Sequence, residues 1–291
     1  MPLETFQRAI LAFAVGNYDE AQRQAQQAAQ LDLTHPLYPA AATYLARVAT
    51  NGKAQVYVSG EGFTDFIRGG GNLGLYAATS AALAQAYAGQ SQLTLLDIGV
   101  GDGLALLPAL GPRIAMIDLV EPSAALLAQT TSVLDQRGLA YRSFIGTLQD
   151  FAAVEQASRH WDIAQATYSL QSLPPVERRA ALSWLHGAVD RLLIVEFDVP
   201  DLFDSPLALE CVAHVLARYR LGLAEYPAND TVVQGFLMPV MFGYFDPSAA
   251  RTTYVQPIAA WHADLNAAGF TRVTTRPIFP YWWADAYLIE A

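Results

Sequence analysis

The chain has 291 residues, enough for one large α/β domain or a domain with a smaller appendage; 53% are hydrophobic and 15% charged, a balance that supplies a core without covalent staples. A net charge of −10 and a pI near 4.8, with no basic run, exclude a nucleic-acid partner, whose phosphates need clustered Lys and Arg. The single cysteine, Cys211, excludes an intramolecular disulfide and a Cys-based zinc cluster and reads as a buried thiol in a helix.

The opening Met1-Pro2-Leu3-Glu4 lacks the charged and apolar regions of a signal peptide, and no apolar run approaches the length of a membrane span. A cytoplasmic location with no membrane partner is expected. Residues 1–50 read as an N-terminal helical hairpin: Phe6, Ile10 and Phe13 share a face, Gly16-Asn17 breaks it, Tyr18 to Leu31 resumes it, and Thr34-His35-Pro36 breaks it again. The segment from Gly16 to Ala21, with Ala28 and the run Leu31 to Pro36, resembles one tetratricopeptide repeat. A lone repeat cannot form a solenoid, so packing on the main domain or a second subunit stands beside a peptide-docking groove.

Residues 51–92 form a connecting or gating segment. Gln55 to Val58 reads as a short extended piece, and Leu75 to Tyr87 as a helix. Between them, Gly69-Gly70-Gly71-Asn72 reads as a flexible gate, an anion-receiving turn or a plain loop, and Arg68 as a candidate for a ligand carboxylate or a solvated surface cation.

From residue 93 strands and helices alternate: strand Leu93 to Ile98, helix Leu104 to Leu110, strand Ile114 to Val120, helix Ser123 to Gln136 with Ser123 as its cap, strand Ala140 to Ile145, helix Phe151 to Ser158, strand Trp161 to Thr167, helix Val176 to Val189 and strand Arg191 to Phe197. This rhythm predicts a Rossmann-like α/β fold, with a mostly parallel sheet, helices on both faces and ligands at the carboxyl edge of the strands. An insertion at 201–256 carries the helix Pro206 to Leu223 and the apolar segment Phe236 to Phe245. It leaves from the ligand edge and reads as a lid or as a homodimer interface. Helix Ile258 to Ala267, stopped by Gly269, strand Phe270 to Ile278, the turn Pro280-Tyr281-Trp282-Trp283 and strand Ala284 to Glu290 close the domain at 93–291. Seven strands are expected, the last antiparallel.

The organising stretch is Asp97-Ile98-Gly99-Val100-Gly101-Asp102-Gly103, where a buried strand turns into a helix with the backbone bared for a ligand. A nicotinamide-dinucleotide fingerprint using Gly99 and Gly101 needs a small residue at 104, where Leu104 stands. Over residues 93–200 and 257–291 the chain instead resembles the class I S-adenosylmethionine-dependent methyltransferases, at that acidic-x-Gly-x-Gly-x-Gly turn, at Glu121 closing the second strand, and in the terminal hairpin. The resemblance implies S-adenosylmethionine as cofactor, with Asp97 near its methionine portion, Gly99, Gly101 and Gly103 against it, Glu121 on the ribose hydroxyls, and Leu148 and Gln149 near the adenine. The family often has an acidic residue at the adenine; here the run is Gly146 to Asp150, so Gln149 or Asp150 takes that place. Tyr168 also falls in the cofactor set.

For the acceptor, the segment after the fourth strand holds Tyr168, Ser169 and Gln171, and the final turn holds Tyr281 and Trp282, aromatics suited to stacking on a flat molecule or a sulfonium. The Asn/Asp-Pro-Pro-Tyr/Phe motif of many amino-group methyltransferases is absent. Tyr168, His214 and Tyr281 are the candidate bases; His35, His160, His186 and His262 read as structural or surface groups. No metal-ligand spacing stands out. The expectation is a methyltransferase acting on oxygen or nitrogen of a small aromatic or apolar molecule. The rivals are a peptide or protein methyltransferase docking its substrate through the N-terminal helices, and a non-catalytic binding protein of the same fold.

Overall fold

A computed structural model describes every residue except 54–58, 90, 156–158 and 203, so the extended piece expected over Gln55 to Val58 and the last turn of the helix expected to Ser158 lie outside the described residues. In chain order the helices α1 (Pro2–Ala14), α2 (Tyr18–Leu31), α3 (Leu37–Asn51), α4 (Gly60–Ile67) and α5 (Asn72–Ala86) come first. Then follow β1 (Leu93–Ile98), α6 (Leu106–Ala109), β2 (Ile114–Glu121), α7 (Ala124–Arg137), β3 (Tyr141–Ile145), α8 (Leu148–Val154), β4 (Trp161–Thr167), α9 (Pro175–Ala188) and β5 (Val189–Phe197). The remainder is α10 (Leu209–Glu225), α11 (Asp230–Val232), a π-helical turn Val233–Leu237, α12 (Met238–Gly243), α13 (Ile258–Ala268), β6 (Thr274–Phe279) and β7 (Ala286–Glu290). The chain divides into two compact units, 1–73 with 201–251, and 74–200 with 252–291.

In the first unit α1 packs on α2 and α2 on α3, and the apolar segment of the insertion is consumed inside this unit. Phe242 is fully buried, with ring centroids 4.9 Å from Phe13 and 5.1 Å from Tyr44. Gln234 donates to the Ala40 carbonyl at 3.0 Å, and Lys53 pairs with Asp246. The glycine run before α5 closes around Tyr226: a side chain at Gly70 would start 2.7 Å from its ring, and its hydroxyl donates to the Phe66 carbonyl at 2.8 Å and accepts from Asn72 at 3.0 Å. The Gly71 amide donates to Glu225 at 2.9 Å. The anion at this helix start is therefore the chain's own carboxylate. Cys211 is buried in α10, its thiol pushed up to about 11 by burial and then by Glu210.

The second unit is a seven-stranded sheet in the order β3-β2-β1-β4-β5-β7-β6, parallel except for β7, which runs antiparallel to both β5 and β6. This is the Rossmann-like sheet with an antiparallel last strand that the alternation predicts. Period-two burial divides its residues between two cores: Leu96, Ile98, Ala164, Leu192 and Ile194 join Leu182, Leu185, Trp261 and Leu265, while Leu93, Leu95, Ile163, Leu193 and Val195 join Leu83, Leu127 and Leu134.

Two expected elements are shorter than their patterns. The helix expected over Leu104 to Leu110 is a single turn, because Leu110 is already extended ahead of Gly111-Pro112. The strand expected from Phe270 starts at Thr274, because Phe270 donates its amide to the Leu265 carbonyl at 3.1 Å and, with Gly269 left-handed, closes α13.

Candidate active site

The carboxyl ends of β1, β2, β4 and β5 bring most of the sequence candidates of the second unit together. Leaving β1, the chain takes left-handed conformations at Gly99 (φ +71°) and Gly101 (φ +59°), which an L side chain adopts only under strain. The Gly99 amide donates to the Val120 carbonyl at 2.7 Å, tying the turn to β2. Nothing lies within 4 Å of the place a side chain on Gly101 would occupy, so that backbone faces open space. A side chain at Gly103 would instead strike Leu107 at 2.7 Å; this glycine serves packing.

Glu121 closes β2 and is 7% exposed. One of its oxygens accepts the Gly101 amide at 3.0 Å and the other the Ser123 amide at 2.8 Å, so the carboxylate spans the glycine turn and the start of α7, with lone pairs left over. Asp97, 1% exposed, accepts from the Gln165 amide at 2.6 Å through Oδ2, while its buried Oδ1 has no partner. Burial, and to a lesser degree Glu121, raise the Asp97 carboxyl to about 7 against the opposing hydrogen bond from Gln165. Among the described residues neither Asp97 nor Glu121 has an ion-pair partner. Two carboxylates without a counter-ion, flanking a bared backbone turn, repel a pyrophosphate and suit a cationic or hydroxyl-bearing ligand.

Leu148 is buried in the core with Phe151, Ile98 and Val120. Gln149 donates to Glu177 at 2.8 Å and leaves a buried Oε1 without a partner. Asp150 is committed to a capping box with Thr147, whose hydroxyl and amide hold its carboxyl below the usual range.

After β4 the backbone turns at Tyr168, a non-glycine residue at φ +55° whose amide donates to the Val195 carbonyl at 2.9 Å. Its hydroxyl meets Thr79 at 2.9 Å, and burial pushes it well above the usual phenol range. Its ring stacks on Phe197 at 4.7 Å and meets Tyr76 edge-on at 5.9 Å; Phe197 stacks in turn on Tyr281 at 5.5 Å, followed by Trp282 at 5.5 Å and Trp283 at 6.1 Å. A continuous aromatic row thus lines the edge from α5 to the β6–β7 turn. Gln171 turns its side-chain amide back to the Tyr168 carbonyl at 3.2 Å. His214 lies on α10 of the first unit, its imidazole pushed below the usual range by burial and Arg218.

Besides Gln165, which holds Asp97, three further participants escape sequence reading. Tyr76 and Phe197 complete the aromatic row. Glu196, 2% exposed next to Phe197 at the end of β5, accepts the Gln171 amide at 3.2 Å and is raised to about 8 by burial, the opposing pull of that amide and of Arg178 notwithstanding. An acidic residue ending an apolar strand was the available signal, as it was for Asp97 and Glu121. No group of metal-ligating side chains occurs among the described residues, and no described helix is long and apolar enough to cross a membrane.

No protein-family model matches the sequence, and no curated protein does. Among solved structures, the chain is similar to a Nostoc punctiforme protein assigned provisionally as an O-methyltransferase (15% identity, 73% of this chain and 55% of that one, TM-score 0.48). It is also similar to magnesium protoporphyrin IX methyltransferase from Synechocystis with bound S-adenosylhomocysteine (15%, 75% and 83%, 0.47). An O-methyltransferase family protein from Burkholderia thailandensis gives 15%, 90% and 62%, and 0.49. The chain therefore spans only 55% of the first of these proteins. At such identities and scores the likeness decides no activity.

Proposed function

We propose that this chain is an S-adenosylmethionine-dependent methyltransferase acting on oxygen or nitrogen of a small, flat, aromatic or apolar acceptor. The observation that carries the reading is the pair of buried carboxylates, Asp97 and Glu121, without counter-ions on either side of the open, left-handed glycine turn. The motif resemblance adds the identity of the methyl donor. S-adenosylmethionine, when bound, supplies an electrophilic methyl group on a sulfonium.

In this reading Glu121, fixed by two backbone amides, offers its remaining lone pairs to the ribose hydroxyls, while the bared backbone at Gly101 allows close approach. Asp97 offers its open Oδ1 to the amino-acid end. The aromatic row from Tyr76 to Trp283 orients a planar acceptor and excludes water, and in-line displacement needs little more than that alignment. Tyr168 keeps its proton at neutral pH and acts as a wall and hydrogen-bond partner to Thr79, not as a base.

Calorimetry with S-adenosylhomocysteine tests the donor assignment: wild type binds, while Gly101→Arg and Glu121→Ala each weaken binding at least tenfold, the latter by removing charge-assisted hydrogen bonds. A wild-type protein with no affinity for it sinks the reading. Turnover of labelled donor against phenols, amines and carboxylic acids then separates catalysis from binding alone.

A further inference from the structure

We propose that Gln165 and Tyr87 are positioning residues that orient Asp97 so that a single oxygen, Oδ1, is left to receive the ammonium group of the ligand's amino-acid end. The proposal rests on the donor assignment above and extends it to two core residues.

Asp97 and Gln165 are register partners on the neighbouring parallel strands β1 and β4. Gln165 is fully buried, and both ends of its amide are used: Nε2 donates to Asp97 Oδ2 at 2.6 Å, and Oε1 accepts the Tyr87 hydroxyl. Tyr87 follows α5 directly and is 3% exposed. Burial, and then the charge of Asp97, hold its hydroxyl well above the usual phenol range, so it stays a donor. A donor at that end fixes the polarity of the amide: the carbonyl oxygen must face Tyr87, and the NH2 group must face Asp97. With Oδ2 engaged, the one buried polar atom of Asp97 without a partner is Oδ1. A buried carboxylate oxygen left unsatisfied is a destabilised group that a ligand cation relieves. Among the described residues, the titratable groups acting on Asp97 are Glu121 from β2 and Tyr87 after α5, and neither is a cation.

The test uses two probes on the full-length protein. S-adenosylhomocysteine carries the ammonium; methylthioadenosine keeps the nucleoside and sulfur but lacks the amino-acid end. Titration calorimetry of wild type, Gln165→Leu and Tyr87→Phe from pH 6 to 9 gives the affinities. Gln165→Leu is expected to weaken S-adenosylhomocysteine about tenfold at pH 7, the scale of one hydrogen bond to a charged group, and to leave methylthioadenosine unchanged. Wild-type affinity for S-adenosylhomocysteine should fall as pH drops through about 7, where Asp97 takes up a proton. In Gln165→Leu that fall moves to higher pH, since the amide no longer favours the carboxylate. Tyr87→Phe, which keeps the ring packing, should move both quantities in the same direction by less, and it carries the test if Gln165→Leu does not fold. Equal weakening of both probes, or no weakening of either, overturns the proposal. Absence of binding of either probe to wild type overturns the donor assignment instead.

Discussion

Ser169 leaves no room for a side chain on Gly99. Its Cβ lies 2.5 Å from the point where a Gly99 Cβ would sit, and its hydroxyl donates to the neighbouring Ile98 carbonyl at 2.6 Å. The segment after β4 is thereby bolted to the glycine turn after β1. Gly99→Ala must both hold φ near +71° and displace Ser169, whereas Gly101→Ala faces open space and meets only the backbone penalty. The first should destabilise the protein by roughly 2–4 kcal/mol and the second by about 1 kcal/mol. Urea unfolding of the two variants measures the difference; equal losses would mean that Ser169 yields freely.

Arg178 is the second unit's buried cation. It is fully buried on α9, donates to the Tyr254 carbonyl at 2.9 Å and to Gln256, lies 4.6 Å over the Trp261 ring and stands 3.6 Å from Asp264. It thus holds the strap that leads into α13, and Tyr254 in turn donates its amide to the Gln171 carbonyl at 2.6 Å. Arg178→Ala leaves the Tyr254 carbonyl and the Gln256 side-chain oxygen without their donor, while Asp264 keeps Gln256 and Arg179; it should cost roughly 2–6 kcal/mol, about 1–3 for each buried acceptor left unsatisfied. Arg178→Lys should recover less than half of that, because an ammonium cannot reproduce the planar fork or its stacking on Trp261. Thermal and urea unfolding of both variants check the order; full recovery by lysine would reduce Arg178 to a point charge.

What could be read in advance was local or periodic. Alternating strands and helices, Glu121 at a strand end, the Ser123 cap and the glycine turn are all decided by residues within a few positions of one another. What escaped depends on partners far along the chain. Phe236 to Phe245 reads as an apolar stretch in an insertion, and nothing near it announces that Phe242 meets Phe13 and Tyr44. The glycines before α5 look like a gate until Tyr226 and Glu225, some 150 residues on, fill the turn. Phe270 has strand character by composition, but the left-handed Gly269 ahead of it commits its amide to capping. Gln165, inside an apolar strand, carried a signal as a buried amide, yet its role needs the register that sets it beside Asp97.

Glu196 and Asp97 make stability depend on pH in an unusual direction. Most carboxylates in folded proteins are depressed and favour the native state as pH rises. Here burial raises Glu196 to about 8 and Asp97 to about 7. Above the unfolded carboxylate range near pH 4 and below these values, the unfolded chain has released protons that the folded chain keeps. Native stability contributed by the pair must therefore decline as pH rises from about 5 to 8. Glu196→Gln keeps an acceptor for the Gln171 amide and removes the titration. It should match wild type near pH 5, exceed it at pH 8 and flatten the profile between; Asp97→Asn should act the same way over a window that ends near pH 7. Urea unfolding at pH 5, 6.5 and 8 reads both. A Glu196→Gln profile parallel to wild type would show that Glu196 ionises freely in the native protein, and that the Gln171 amide and Arg178 outweigh its burial.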